Sequence, residues 1–230
     1  MKRRDFSLAA AGLTALHLPL LANAQTKAAA KTAQAPAAAP APKPPVEGTD
    51  YLSLDKRIPT EVGTGKVEVI EFFWYNCPHC NAFEPAFEAW VKAVPKDVVV
   101  KRVPVRFRDD FEPQQRMYYV LEALNLIDKL HVKMFNAIHM EHQKLNSFEE
   151  LSAWAQTNGI PAQKFADTFN SFGVAAKAKR AYQLQEQFKV QGVPALGIAG
   201  RFYSDGGLAG NMERVLQVTD YLINEVRKGR

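Results

Sequence analysis

The sequence predicts an α/β domain in which a block of helices interrupts the sheet. Three observations predict this class: a strand–helix–strand pattern at 67–105, helical periodicity from 107 to 187, and a return to strand pattern before a last helix. With 230 residues, of which 47% are hydrophobic, the chain is long enough to bury a substantial core without disulfide staples.

The first strand is expected at 67–75, which is dense in β-branched and aromatic residues. Asn76 is expected to cap the helix that follows, and Pro78 is tolerated in the first turn of that helix. Pro85 lies inside the same helix and predicts a kink. A second strand at 97–105 completes a βαβ unit, so we expect the two strands to be parallel.

The next part of the chain has helical spacing and no convincing strand. Ser147 and Glu150 form a capping box ahead of one of the helices. Strand pattern then returns as a hairpin across Ala199 and Gly200, and Asn211 is expected to cap a final helix that ends near Arg227. The predicted helices are 113–124, 127–142, 147–157, 162–172 and 174–188, and the predicted hairpin strands are 194–198 and 201–203.

The domain boundaries follow from this order of elements. We expect residues 48–106 to form the first part of the α/β domain, 107–187 an all-helical insertion, and 188–230 the second part. Residues 25–47 are rich in Ala and Pro with little to bury, which predicts a disordered leader or tether.

Residues 1–24 have the three parts of a secretory signal peptide: a basic start, an apolar run at 6–21, and Ala22-Asn23-Ala24 before Gln25. Arg3-Arg4 also resembles a twin-arginine signal, so the export route stays open. An uncleaved membrane anchor is the alternative, although the apolar run is shorter than the ~20 residues that a spanning helix needs.

The formal net charge of +5 is concentrated in the leader. Residues 1–47 contain six basic and two acidic residues, which account for +4, and the remainder carries only +1. A nearly neutral folded part does not indicate a basic binding patch, so we expect no nucleic-acid partner.

The chain has two cysteines, Cys77 and Cys80. A structural disulfide that closes so small a loop would restrict the unfolded chain very little. A zinc site built on thiolates usually has more cysteines. In an exported protein, a lone C-x-x-C therefore predicts a working redox pair.

The predicted position of the two cysteines favours oxidation of substrate thiols over reduction of substrate disulfides. Cys77 lies at a helix N-terminus, where unpaired N–H groups and the helix dipole stabilise a thiolate, and His79 can add positive charge. A stabilised thiolate makes the disulfide the less stable state, so Pro78 and His79 are expected to make the protein an oxidant. We expect Cys77 to be exposed and Cys80 to be the buried, resolving thiol.

The motif resembles a known family. Phe72-Phe73, the C-P-H-C segment at 77–80 and a later Gly192-Val193-Pro194 are similar to the DsbA family of periplasmic thiol:disulfide oxidoreductases. The resemblance spans roughly residues 48–230 and implies a thioredoxin fold with an inserted all-helical domain.

The resemblance also implies roles for individual residues. Val193–Pro194 is expected to be a cis peptide beside the cysteines, where Val193 pairs with an extended substrate. Glu71 is expected to be a buried acid beneath the site that assists proton transfer, with Glu84 as a second acid nearby. Burial of Glu71 between Ile70 and Phe72 is favoured over a solvent-facing position.

The implied function is a periplasmic dithiol oxidase that introduces disulfide bonds into newly exported, unfolded proteins. A quinone-linked membrane partner similar to DsbB is expected to reoxidise it, and we expect a monomer with no cofactor and no metal. An isomerase or reductase on the same fold is the alternative, although isomerases usually carry a dimerisation module where this chain has its leader. A metal-binding protein that uses Cys77, His79 and Cys80 is a third, less favoured possibility.

Other residues have ordinary explanations beside functional ones. Trp74 and Tyr75 are either core residues or part of a substrate-facing surface. His139 and His142 are spaced for a metal site, but a solvated helical face is the more common setting for such residues.

Overall fold

The computed structural model describes residues 43–229. The predicted signal peptide at 1–24 and the leader as far as residue 42 lie outside the described residues. Within the described range, no helix combines the length and the apolar character that crossing a membrane requires.

The strands form one mixed sheet in the order β1-β5-β4-β2-β3. The parallel pairing of β2 with β3, in which Val67 faces Val98 and Phe73 faces Pro104, confirms the predicted βαβ unit. Antiparallel pairing joins β4 to both β2 and β5, and β1 to β5. The strands are β1 (Leu52–Ser53), β2 (Val67–Phe73), β3 (Val98–Pro104), β4 (Ala195–Ile198) and β5 (Phe202–Asp205).

Five helices lie between β3 and β4, as the insertion prediction requires. The capping box of Ser147 and Glu150 is present, and the Asn211 side chain accepts from the Arg214 N–H at 2.8 Å, so these two of the three predicted caps are confirmed. The helices are α1 (Pro78–Ala93), α2 (Glu112–Ala123), α3 (Ile127–His139), α4 (Phe148–Thr157), α5 (Ala162–Phe169), α6 (Phe172–Gln187), α7 (Gly206–Ala209) and α8 (Met212–Arg227).

The start of α1 differs from the sequence prediction. The N-cap is Cys77, whose sulfur accepts from the Cys80 N–H, and Asn76 lies one residue outside the helix. α1 continues through Pro85, which lies on the exposed side of the helix, and the kink expected there stays a prediction. Its ring removes only the bond to the carbonyl of Asn81.

The central strand β2 places its side chains on alternate faces of the sheet, which is the period of a strand. Val67 and Val69 pack with α1 and α8 on one face, whereas Ile70 and Phe72 pack with the helical insertion on the other. Glu71 follows this alternation and therefore faces α1. All seven residues of β2 are buried.

The hairpin between β4 and β5 turns at Ala199 and Gly200, both of which have a positive φ. Residue 200 must also be a glycine on steric grounds, because a Cβ there would lie 2.0 Å from the carbonyl oxygen of Ile58. The backbone N–H of Ile58 donates to the Gly200 carbonyl at 2.8 Å, which ties the segment ahead of β2 to this turn.

Candidate active site

The two cysteines follow the carboxyl end of β2, where α1 begins. The Cys77 sulfur lies 3.4 Å from the backbone nitrogen of Cys80, and both thiols are free. Cys80 has no accessible surface and Cys77 retains 7%. The expectation of an exposed Cys77 was therefore wrong. A later loop of the chain covers most of the Cys77 thiol, so only a small part of it is accessible.

That covering loop contains Val193 and Pro194, and the peptide bond between them is cis. The Cys77 sulfur lies 3.4 Å from the carbonyl oxygen of Val193 and donates to it when the thiol is protonated. Beside this contact lies a groove of about 540 Å³. The groove is lined by His79, by the loop residues Gly192, Val193 and Pro194, and by residues of the later segment: Asp205, Gly206, Gly207, Gly210, Asn211 and Met212.

The environment separates the two thiols in acidity. A hydrogen bond from the Cys80 thiol, together with the backbone N–H groups of Cys80 and His79, outweighs burial and lowers the pKa of Cys77 to about 6. Burial raises the pKa of Cys80 well above its ordinary value, and the neighbouring Cys77 adds to this. The charge of the exposed His79 is the smallest of the named causes, so it contributes less than the sequence indicated.

Beneath the cysteines, an acidic cluster surrounds one guanidinium. It comprises Glu71 on β2, Glu84 and Glu88 on α1, and Arg102 on β3, which faces Glu71 in the strand register. Arg102 Nη2 lies 2.9 Å from Glu84 Oε1 and 2.5 Å from Glu88 Oε1, and Arg102 Nε lies 3.1 Å from Glu71 Oε2. The structure thus brings Glu71 and Glu84 together, as the resemblance implies.

The pKa values of Glu71 and Glu84, the two most buried acids of this cluster, are shifted in opposite directions. Burial raises the pKa of Glu71 above its usual range, and the charges of Glu84 and Glu88 add to the effect against the attraction of Arg102. Burial also opposes ionisation of Glu84, but His131 and Arg102 outweigh it and lower the pKa of that carboxyl. Glu71 is thus suited to carry a proton while Glu84 remains an anion.

His131 of α3 connects the cluster to the helical insertion. Its Nδ1 lies 2.8 Å from the Tyr75 hydroxyl and its Nε2 lies 3.5 Å from Glu84 Oε1. Burial lowers the pKa of His131 below its usual value, so the ring is neutral and receives a hydrogen bond from Tyr75 when its proton is on Nε2. Tyr75 is therefore a core residue and is not part of an accessible surface.

A set of carboxamides fixes the residue ahead of Cys77. Gln114 Nε2 donates to Asn76 Oδ1 at 2.8 Å and to the Leu145 carbonyl at 2.9 Å, and Asn76 Nδ2 donates to Asn146 Oδ1 at 2.6 Å. On the same side, the Trp74 ring stacks on Phe111 with centroids 3.8 Å apart. The turn before the motif is thus held by α2 and by the loop that precedes α4.

Several of these residues were not found by sequence reasoning. Arg102 offered a signal, as did Lys101 beside it, because a basic residue in a largely apolar strand of a βαβ unit needs a partner. Glu88 and His131 offered none, since each fits an ordinary helical pattern.

His139 and His142, the other candidates, are not part of a metal-holding group of side chains among the described residues. His139 Nε2 instead lies 2.7 Å from the Tyr75 carbonyl oxygen. Within residues 43–229 there is no group of three or more His, Cys, Asp or Glu side chains arranged to hold a metal ion.

Comparisons with known proteins agree with this architecture. Residues 68–217 match the family model of the DSBA-like thioredoxin domain. The chain is 40% identical over 205 residues to the thiol:disulfide interchange protein DsbA of Bordetella parapertussis, which covers 88% of this chain and 97% of that protein. It is 37% identical over 180 residues to the protein of the same name from Pseudomonas aeruginosa PAO1, with coverages of 78% and 85%. The crystal structure of Pseudomonas aeruginosa DsbA matches with a TM-score of 0.76 at 36% identity, covering 80% of this chain and 95% of that one.

Proposed function

Because the chain belongs to the DSBA-like thioredoxin-domain family and is a thiol:disulfide oxidoreductase, we propose that it acts as a dithiol oxidase. In this role it introduces disulfide bonds into newly exported proteins through Cys77 and Cys80. The thioredoxin fold with an inserted helical domain, which the family match establishes, supplies the site at which β2 meets α1.

The difference in acidity between the two thiols is the observation that favours an oxidase over a reductase or isomerase. Cys77, with a pKa of about 6, is a thiolate at neutral pH in the reduced protein. Stabilising that thiolate stabilises the reduced form and makes the disulfide a stronger oxidant. A low pKa also makes Cys77 a good leaving group when a second substrate thiol resolves a mixed disulfide.

The proposed reaction proceeds in two exchanges. A substrate thiolate attacks the Cys77 sulfur of the oxidised protein, which forms a mixed disulfide and breaks the Cys77–Cys80 bond. Cys80 leaves as a thiolate and takes a proton, for which Glu71 is the proposed donor. A second substrate thiolate then attacks the substrate sulfur and releases Cys77 as a thiolate. The substrate loses two electrons, and the protein gains them as a dithiol.

The groove beside Pro194 is the proposed substrate site. Extended chains pair with exposed backbone groups, and Val193 is proposed to offer such groups beside the reacting sulfur. The glycines at 206, 207 and 210 also line the groove. Without side chains they leave room for substrates of varied sequence.

The proposal places the protein in the periplasm, as a monomer that acts on unfolded, cysteine-containing proteins. A quinone-linked membrane partner similar to DsbB would reoxidise it. The signal-like residues 1–24 and the relatives named DsbA support this part of the proposal.

Equilibration with graded glutathione buffers tests the proposed direction. The ratio of dithiol to disulfide, followed by tryptophan emission because Trp74 lies close to the motif, gives the potential. A potential well above that of the glutathione couple supports the oxidase. A potential near that of thioredoxin, at about −270 mV, would instead assign the reductase or isomerase role.

A further inference from the structure

The acidic cluster contains three carboxylates and only one guanidinium. The hydrogen bonds of Arg102 go from Nη2 to Glu84 and Glu88 on α1. Glu71 receives only a close contact from Nε, and its geometry does not make a hydrogen bond: both Glu71 oxygens and Arg102 Nε are buried without a hydrogen-bond partner. The Arg102 guanidinium is therefore hydrogen-bonded to the two carboxylates on α1 and not to the carboxylate of Glu71 on β2.

The degree of burial determines which of the three carboxyl groups in the cluster carries a proton. A buried anion without hydrogen bonds is costly, and one positive charge cannot offset three negative charges at short range. The side chain of Glu71 is 1% exposed, that of Glu84 is 5% exposed and that of Glu88 is 31% exposed. Glu71, which is the most buried of the three and has no hydrogen bond, is therefore the one that is protonated.

Glu88 controls this outcome from the edge of the cluster. It takes one of the two N–H groups of Arg102 Nη2, and its only other ion-pair partner among the described residues is the exposed Lys92 at 3.8 Å. We propose that Glu88 is a positioning residue: it holds the Arg102 guanidinium toward α1 and so keeps Glu71 protonated. Without the charge of Glu88, Arg102 is free to turn toward Glu71 and stabilise its carboxylate.

This inference rests on the proposed function, because it gives Glu71 its role as proton donor. When Cys80 leaves the internal disulfide as a thiolate, the O–H bond of Glu71 breaks and an S–H bond forms at Cys80. The Glu71 carboxylate then regains a proton from water. An ionised Glu71 cannot make this transfer, and its charge acts on the Cys80 thiol to oppose thiolate formation there.

Several charged and titratable groups face Glu71. From α1 these are Glu84 and Glu88, and from β3 the group is Arg102. Cys80 responds to the charge of Glu71, and so do Tyr75 and Tyr118. Only Glu88 among the carboxylates of this set reaches the surface, so a substitution there changes the cluster without opening the core.

Infrared spectroscopy of the full chain across a pH series tests the proposal directly. The carbonyl band of a protonated carboxylic acid reports Glu71, and its loss in Glu71→Gln assigns it. In Glu88→Gln we expect the Glu71 midpoint to fall by at least about one pH unit, a tenfold change in its protonation equilibrium. An unchanged midpoint in folded Glu88→Gln overturns the proposal.

Glu61→Gln is the matched control. It removes the same charge from a carboxylate that pairs with Lys101 and Arg180, outside the Arg102 cluster. We expect the Glu71 midpoint in this variant to equal that of the wild type. An equal fall in both variants would mean that overall charge, and not the hold on Arg102, sets the midpoint, and this too would overturn the proposal.

The infrared midpoint does not depend on the direction of the redox reaction. A reductase-like potential of the wild-type protein would defeat the proposed function while leaving the Glu88 result intact. As a second readout, the pH profile of disulfide reduction by a small thiol should move to lower pH in Glu88→Gln by the same interval as the Glu71 midpoint. A purely structural role of Glu88 would change the stability and leave this profile in place.

Discussion

The sulfur of Cys77 lies 3.4 Å from the carbonyl oxygen of Val193, which follows it by 116 residues in the chain. This contact joins the two parts of the α/β domain across the helical insertion. It also accounts for the small accessible fraction of Cys77, since the loop with Pro194 covers the thiol. In the proposed function, a substrate sulfur approaches along the groove beside that loop.

Replacement of Cys77 and replacement of Cys80 should have different effects on thiol–disulfide exchange. Cys77→Ser removes the sulfur that a substrate attacks, so we expect no disulfide exchange with a reduced model substrate. Cys80→Ser has no internal disulfide to donate, so it should not oxidise a reduced substrate either. Its Cys77 thiolate should instead attack a disulfide-bonded substrate and remain joined to it, so mixed disulfides with Cys77 should accumulate on non-reducing gels. Residual oxidase activity in Cys77→Ser would contradict the assignment of Cys77.

His79→Gln should make the protein only slightly less oxidising. The His79 charge is the smallest of the causes that lower the pKa of Cys77, whereas the backbone N–H of residue 79 is retained in the variant. We expect the equilibrium with glutathione to change by less than about tenfold, the equivalent of 30 mV for two electrons. A larger loss would show that the imidazole contacts the thiolate more closely than the structure indicates.

Stability should depend on pH through Cys77. Its pKa is about 6 in the folded, reduced protein, below the value of about 8.5 for a free thiol. A depressed pKa contributes stability that is present above the unfolded value and is lost as the pH falls through the folded one. Cys80 stays neutral in this window because its pKa is raised.

The measurement is the difference in urea midpoint between the reduced and the oxidised protein. The oxidised form has no thiolate and serves as the control, and Glu71 is present in both forms. The reduced form should lose stability relative to the oxidised form between about pH 8.5 and pH 6. A constant difference across this range would mean that Cys77 is not acidified.

Gly200→Ala should destabilise the fold through the hairpin. Its φ of +63° is unfavourable for other residues, and the added Cβ would meet the Ile58 carbonyl oxygen at 2.0 Å, so the backbone must move. We expect a loss of more than about 2 kcal/mol in the free energy of unfolding.

Gly210→Ala is the control for that substitution. Its φ is +88°, but nothing lies within 4 Å of the added Cβ. It should lose only the backbone term of about 1–2 kcal/mol. Equal losses in the two variants would show that the contact with Ile58 relaxes without a penalty.

Local signals in the sequence predicted most of the fold. The strand at 67–75, the capping box of Ser147 and the cap at Asn211 each depend on neighbouring residues, and the structure confirms them. The segments that were missed are β1, with two residues, a 3-10 turn at Asp109–Phe111, with three, and α7, with four, which are too short to show a period. Their presence depends on partners elsewhere in the fold.

The candidate site, too, could be predicted only in part. Features set by neighbouring residues were predictable from the sequence, and features set by distant contacts were not. The position of Cys77 at a helix N-terminus could be read from a strand followed by C-P-H-C. The sharing of Arg102 among three carboxylates could not, because it depends on the register of β2 against β3 and on the face that α1 turns inward. The shielding of Cys77 depends on a loop that follows the whole insertion.

The position of β4 in the sheet has a consequence for synthesis. β2 pairs on one side with β3, which comes soon after it, and on the other side with β4, which comes only after the five helices of the insertion. A chain that has emerged only as far as α6 has an open edge on β2, a strand that is buried along its whole length in the finished protein, and unpaired edges promote association between chains. Residues 188–230, which follow α6, therefore close this edge and reduce the tendency of the nascent protein to aggregate as well as completing its sheet.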